Sequence, residues 1–174
     1  MNTNKPAVLG KALLIAVMCV AAAACSKKVK DTPPQGPATD TTTTTGTTTP
    51  GAYTPEDLYR DACLRQRTVY FDLDRDNVRS EFQAQMACHA KYLRDRPSAR
   101  ITLEGHADER GSREYNLGLG ERRGNSVSSA LQANGGSASQ LTVVSYGEER
   151  PTCTESSDDC WARNRRVEIV YTAR

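Results

Sequence analysis

From Thr54 onward the chain alternates between two hydrophobic periods, and each change of period marks an element. Thr54-Pro55-Glu56-Asp57 reads as a helix start, with Thr as N-cap, Pro at the first helical position and acids in the first turn. Val69-Tyr70-Phe71 is β-branched and aromatic and predicts a strand, closed by the polar stretch Asp72 to Arg79. Ser80 is placed to cap a helix whose Phe82, Met86, His89/Ala90 and Leu93 share one face, and Pro97 stops it. Ile101-Thr102-Leu103-Glu104 alternates as a second strand. Beyond the loop Gly105 to Ser112, Leu117, Gly120, Gly124, Val127 and Leu131 recur at spacings of three and four, which predicts one long helix ending near Asn134-Gly135-Gly136. Leu141 to Tyr146 and Val167 to Tyr171 supply a third and a fourth strand. The order predicts an α/β domain of the α+β sandwich kind, a small mixed four-stranded sheet with helices on one face. Gly120 and Gly124 each cost about 1 kcal/mol inside a helix relative to Ala, so something must approach that surface closely: the sheet beneath it, or a ligand.

The residues before Thr54 follow neither period. Lys5 and Lys11 precede the uncharged run Ala12 to Ala24, which at ~1.5 Å per residue is about 20 Å long as a helix, short of a bilayer's roughly 30 Å core. Residues 1–24 therefore read as an export signal and not a permanent anchor. Ala22-Ala23-Ala24-Cys25-Ser26 resembles the lipobox of bacterial lipoproteins, with Ala22 where most have Leu. The resemblance implies that Cys25 becomes the first mature residue and carries lipid, and Ser26 in place of Asp implies delivery to the outer membrane. Ordinary cleavage that leaves Cys25 free is the alternative. Residues 25–53 hold Pro33-Pro34, eight Thr between Thr41 and Thr49, and Pro50-Gly51, with almost no large apolar side chain. Such a segment cannot bury enough surface to offset its ordering entropy, and is expected to be a disordered tether with an r.m.s. reach of ~30 Å. Residues 54–174 form the folded domain, about 120 residues and enough for one core.

Charge narrows the function. The chain has 23 basic and 21 acidic residues, but Lys5 and Lys11 leave with the signal, so the mature chain is balanced at 21 of each. A balanced chain lacks the basic excess that nucleic-acid binding requires. A mean hydropathy of -0.62 argues against several membrane spans.

Several stretches are longer than periodicity requires. Val69-Tyr70-Phe71-Asp72-Leu73-Asp74, Glu104-Gly105-His106-Ala107-Asp108-Glu109-Arg110-Gly111-Ser112, Glu114-Tyr115-Asn116, Leu119-Gly120-Glu121-Arg122-Arg123, Val144-Ser145-Tyr146-Gly147 and Asn164-Arg165-Arg166 follow one another in order. Together they strongly resemble the peptidoglycan-associated lipoproteins of Gram-negative bacteria, within the outer membrane protein A C-terminal-like domain family. The resemblance covers residues of about 68 to 171. It implies a non-covalent grip on meso-diaminopimelate in the stem peptides of peptidoglycan. It further implies membership of the Tol-Pal system, with the periplasmic TolB propeller and other Tol proteins as partners and a role in envelope constriction at division. Another OmpA-like wall-anchoring lipoprotein outside that system is the alternative.

Diaminopimelate ends in an ammonium beside a carboxylate, so a reader needs an anionic acceptor and a cationic fork a few ångströms apart. Asp108, in the loop after the second strand, and Arg123, two turns into the long helix, meet that need and align with the family's ammonium-binding Asp and carboxylate-binding Arg. Without the motif the same two residues read as a structural ion pair. Backbone N–H groups in the loops after Phe71 and Gly105 are further candidate donors to the carboxylate. Leu73 and Asp74 align with the family's ligand-covering loop, and His106 and Arg110 flank the site by the same carry-over. Arg165 is implied to support the ligand loops, against an even alternative in which Arg165 and Arg166 are both solvated.

Cys63, Cys88, Cys153 and Cys160 remain once Cys19 leaves with the signal and Cys25 takes lipid, and four cysteines in an oxidising compartment allow three pairings. The family resemblance favours Cys153 with Cys160, closing the polar loop Thr154 to Asp159, which leaves Cys63 with Cys88. No metal or cofactor is expected. Asp72-x-Asp74-x-Asp76 begins like a calcium loop, but its sixth position is Asn77 and its twelfth Gln83, where Gly and Glu are needed. His89 is expected at the buried helix face, and no cysteine pair has zinc spacing. With no G-x-S-x-G and no Cys-His signature, catalysis is not expected. A motor-stator or porin-type relative would add a membrane helix or barrel, and the one apolar run here reads as a signal.

Overall fold

A computed structural model describes residues 51–174. The expected signal, Cys25 and the tether as far as Pro50 lie outside the described residues. The elements run α1 (Asp57–Arg60), β1 (Thr68–Tyr70), α2 (Gln83–Asp95), β2 (Arg100–His106), α3 (Arg113–Ala133), β3 (Leu141–Gly147), α4 (Asp158–Asn164) and β4 (Arg166–Ala173). Four strands form one mixed sheet in the order β1-β4-β2-β3. β2 and β3 are parallel because α3 carries the chain back between them, whereas β4 enters antiparallel to both β1 and β2.

Burial alternates along the central strands. Ile101 and Leu103 of β2 and Val167, Ile169 and Tyr171 of β4 are buried, while Thr102, Glu104, Glu168 and Val170 between them are half-buried. One face is therefore covered more deeply than the other. Met86, Ala90 and Leu93 of α2 and Val127 and Leu131 of α3 join the buried face to form the core. At Gly120 the structure decides for helix-on-sheet packing: a Cβ there would lie 2.4 Å from Ser145 Oγ, and one on Gly105 of β2 would lie 2.0 Å from the Gly120 carbonyl oxygen. Helix α3 is thus seated on β2 backbone to backbone, which any side chain at either position would prevent.

Several expectations need correction. The helix at Thr54 is a single turn, and the capping is reversed: Asp57 Oδ2 accepts from the Thr54 N–H at 2.7 Å and from its hydroxyl at 3.0 Å. Ser80 caps nothing; it opens a 3-10 turn, Ser80–Phe82, that runs into α2. The last two strands are not neighbours, because β4 inserts between β1 and β2. The loop before β4 holds α4, capped by Ser157 accepting from the Cys160 N–H, with Asp158 and Asp159 in its first turn. Tyr53, read as tether, is tied down: its N–H donates to Asp95 at 2.8 Å, and its ring lies 6.1 Å from that of Tyr92. Cys63–Cys88 and Cys153–Cys160 are both disulfide-bonded, with Cα separations of 6.3 and 5.2 Å. The first joins a turn beyond α1, not α1 itself, to α2.

Candidate functional site

The strand directions put the C-terminal ends of β1, β2 and β3 and the start of β4 at one edge of the sheet. The loops after β1 and β2 and the first turns of α3 meet there around a cleft of about 270 Å³. Ser112 caps α3 by accepting from the Tyr115 N–H at 3.2 Å, which points the helix start at the cleft. Asn116, one residue on, donates from Nδ2 to the carbonyls of Asp108 and Arg110 and to the carboxylate of Glu148. One amide thereby holds the β2–α3 loop in shape.

Asp108 is 5% exposed and lines the cleft. Its Oδ1 accepts from Arg110 N–H and Nε at 3.1 Å each, and its Oδ2 from Arg110 Nη2 at 2.8 Å and Arg165 Nη1 at 3.2 Å. Burial alone pushes its carboxyl up, but the hydrogen bonds from Arg110 and Arg165 outweigh burial and hold it below the usual range. Arg165 also donates from Nε to the Phe71 carbonyl at 3.0 Å, tying the end of β1 to Asp108. Arg165 is therefore an internal residue that joins two loops, and Arg166, 4% exposed and ion-paired with Glu168 at 2.6 Å, is not a solvated residue either.

Arg123 has no exposed surface, yet it forms part of the cleft floor. Its guanidinium donates from Nε to the Arg75 carbonyl at 2.8 Å, from Nη1 to the His106 carbonyl at 2.8 Å and from Nη2 to the Asp72 carbonyl at 3.1 Å. It sits 5.2 Å over the Phe71 ring. Among the described residues it has no carboxylate within ion-pair distance. Burial, and then the like charge of Arg165, lower its pKa to about 10, so it stays cationic at neutral pH. Asp108 and Arg123 thus share the cleft without pairing, and the structural ion pair read from sequence is not what holds them. The loops after β1 and β2 offer Arg123 carbonyls, and the Ala107 N–H is occupied by the Gly147 carbonyl at 2.8 Å. Through those carbonyls the two loops hold the cation.

Leu73 and Asp74 line the cleft as expected, Leu73 with 56% of its surface open. Asp74 has a φ of +53°, and its carboxylate accepts from the Tyr115 hydroxyl, bridging the β1 loop to α3. The ring of His106 is not brought to the cleft. It is 1% exposed, packs 5.5 Å from Tyr146, and has no partner on either ring nitrogen. Burial, with Arg166 nearby, lowers its pKa to about 4. The carboxylates of the calcium-like run are spoken for: Asp72 pairs with Arg79, Asp74 with Tyr115 and Asp76 with Arg122. Sequence reasoning gave no role to Tyr115 and Asn116, although both stood in a motif it quoted. It also missed Trp161 of α4, whose ring lies 4.1 Å beneath the Arg110 guanidinium.

The OmpA family matches residues 70–165 of this chain, the segment that carries every residue lining the cleft. The chain belongs to the OmpA family. Within that family it stands among the peptidoglycan-associated lipoproteins. Such a protein from Pseudomonas putida is 42% identical over 161 residues, covering 92% of this chain and 95% of that one. Another, from Haemophilus influenzae, is 37% identical over 161 residues, covering 92% and 97%. The crystal structure of the peptidoglycan-associated lipoprotein from Burkholderia pseudomallei is 39% identical, with a TM-score of 0.65 over 67% of this chain and 98% of that chain. The C-terminal domain of Helicobacter pylori MotB, 23% identical with a TM-score of 0.56 over 62% of this chain and 84% of that one, shares the fold. OmpA-family domains of this kind are structural and not enzymes. Among the described residues no helix is long and apolar enough to cross a membrane.

Proposed function

We propose that this chain is an outer-membrane lipoprotein, lipidated at Cys25, whose periplasmic domain grips the meso-diaminopimelate of peptidoglycan stem peptides in the cleft between Asp108 and Arg123. The observation that carries the reading is Arg123. A fully buried guanidinium with no ion-pair partner among the described residues is costly, and it is held at the floor of an open cleft by three backbone carbonyls. Three of its five N–H groups are used, which leaves two for an incoming carboxylate. Asp108 faces the same cleft as the acceptor for the adjoining ammonium. Leu73 and Tyr115, both substantially exposed, supply apolar walls for the methylene chain between the ligand's two ends.

Within this reading a lipid in the outer membrane and a domain on the wall form a two-ended, non-covalent link. Membership of the Tol-Pal system, TolB as partner and action in envelope constriction follow from the likeness to peptidoglycan-associated lipoproteins. Capture of purified TolB by the folded domain tests that part separately.

The direct test is co-sedimentation of the unlipidated mature chain, Ser26 to Arg174, with purified diaminopimelate-type sacculi. Wild type, Asp108→Ala and Arg123→Ala are compared after circular dichroism has shown that each is folded. Wild type is expected in the pellet and both variants in the supernatant. Variants that pellet like wild type would make the pair structural, and a wild type that stays in solution would remove the wall as ligand. If Arg123→Ala does not fold, Asp108→Ala alone decides.

A further inference from the structure

We infer that Arg110 is a built-in occupant of the ammonium seat at Asp108, a guanidinium that the wall ligand must displace in order to bind. The inference rests on the reading of the cleft given above. Its ground is an inventory of hydrogen bonds. A carboxylate has about four lone-pair positions, and those of Asp108 are taken by the Arg110 N–H, by Arg110 Nε and Nη2 in a two-pronged grip, and by Arg165 Nη1. Nothing is left over for a ligand ammonium.

The two arginines are not equivalent. Arg165 has 14% of its side chain exposed and is fastened on its other side to the Phe71 carbonyl. Arg110 has 35% of its side chain exposed, lines the cleft itself, and among the described residues its side chain donates only to Asp108. It is the one of the two that is able to leave. In that seat it is also backed by an aromatic ring. Its guanidinium lies 4.1 Å from the centre of the Trp161 ring, and the Trp161 Nε1–H donates to Glu109 at 3.0 Å, with Ser156 Oγ on the same oxygen at 2.7 Å. Trp161 is thereby fixed as a platform beside the cleft, on a helix that the Cys153–Cys160 disulfide closes.

In the free protein this arrangement keeps a buried carboxylate neutralised, which its 5% exposure demands. On binding, the ligand's ammonium takes the place of the Arg110 fork on Asp108 while its carboxylate meets Arg123. Cation is exchanged for cation, so the carboxylate is never left bare. The exchange also selects: a group that offers no cation to Asp108 cannot repay the loss of Arg110.

Calorimetric titration of the detergent-solubilised full-length lipoprotein with a stem tripeptide containing meso-diaminopimelate tests this. Arg110→Gln is expected to bind roughly fivefold more tightly than wild type, the scale of a half-exposed ion pair. Trp161→Ala, which unseats Arg110 without touching the cleft lining, is expected to tighten binding by a smaller factor. In wild type the Arg110 Nε–H resonance is expected to shift on saturation as its bond to Asp108 breaks. Equal or weaker binding by folded Arg110→Gln, or an unmoved Arg110 resonance in the saturated complex, would overturn the displacement while leaving the cleft reading intact. Absence of binding by wild type and variants alike would sink the cleft reading, and this one with it.

Discussion

Beside the core, His89 donates from Nε2 to the Gln66 carbonyl at 2.8 Å and accepts at Nδ1 from the Tyr171 hydroxyl at 2.7 Å, while Gln85 Nε2 donates to that same carbonyl at 2.6 Å. At the strand ends, Arg110, Arg123 and Arg165 gather around one buried carboxylate, Asp108. Each cluster is built around a buried titratable side chain, and the two differ in how their charge is balanced. The first is neutral, because burial lowers the His89 pKa to about 4, and both ring nitrogens are satisfied within the fold. The second carries three cations to one anion and opens on a cleft. A closed, neutral network serves the fold, whereas an unbalanced one at an opening is arranged for something that arrives from outside.

The largest expected effect falls on the charged cluster. Arg123→Ala strips the donor from three carbonyls, and is expected to lower stability by about 4 kcal/mol and abolish pelleting with sacculi. Denaturant unfolding combined with sedimentation measures both. If binding survived in the folded fraction, the two clusters would be of one kind. The disulfides sharpen the contrast. Opening Cys63–Cys88, 25 residues apart and on the core side, is expected to cost about 3.5 kcal/mol and leave wall binding unchanged; opening Cys153–Cys160, 7 apart, is expected to cost about 2.4 kcal/mol and alter binding through α4. Paired Cys→Ser variants report on each.

His89 provides a pH signature for the neutral cluster. Its folded pKa, about 4, lies below the unfolded value near 6.5, so its contribution is complete above pH 6.5. That contribution is lost progressively as pH falls toward 4, by about 3 kcal/mol in all, because only the unfolded state takes up the proton. The buried ring of His106 adds to the same slope. Unfolding free energies measured between pH 7 and 4 are expected to fall in wild type and to fall less steeply in His89→Gln; an unchanged slope would mean that His89 takes up its proton equally in the folded and unfolded chain. The smallest effect is at the rim. Tyr115→Phe removes the hydroxyl that donates to Asp74, and is expected to weaken sacculus binding by roughly twofold, as suits an exposed contact.

Both clusters were partly legible in the chain. His89 fell on the apolar face of α2, and its burial followed from the spacing of Phe82, Met86 and Leu93. Asp108 and Arg123 were found through their motifs and the chemistry of a zwitterion. His106 shows the limit of carrying a motif over as a block: the pairing of β2 with β3 shifts by one residue between Gly105 and His106, leaving Tyr146 of β3 unpaired, and the His106 ring packs on Tyr146 while its carbonyl goes to Arg123. Helix α4 was hidden because its composition is that of a loop, although Ser157-Asp158-Asp159 is a sound helix start. Trp161 was overlooked with it.

The sequence by itself determined the long-range plan. The periods of 2 and 3.6 located four strands and the two main helices, the glycines at 120 and 124 pointed to a close approach, and the motifs named Asp108 and Arg123. Those features are local, since each depends on residues within a few turns of one another. Tertiary structure alone decided that β4 enters between β1 and β2, that Arg123 has carbonyls and not Asp108 for partners, and that Arg165 reaches Asp108 from the start of β4. A hydrogen bond of about 3 Å is specified by three-dimensional distance, and residues 17 to 57 positions apart reach it only when the sheet has brought their loops to one edge.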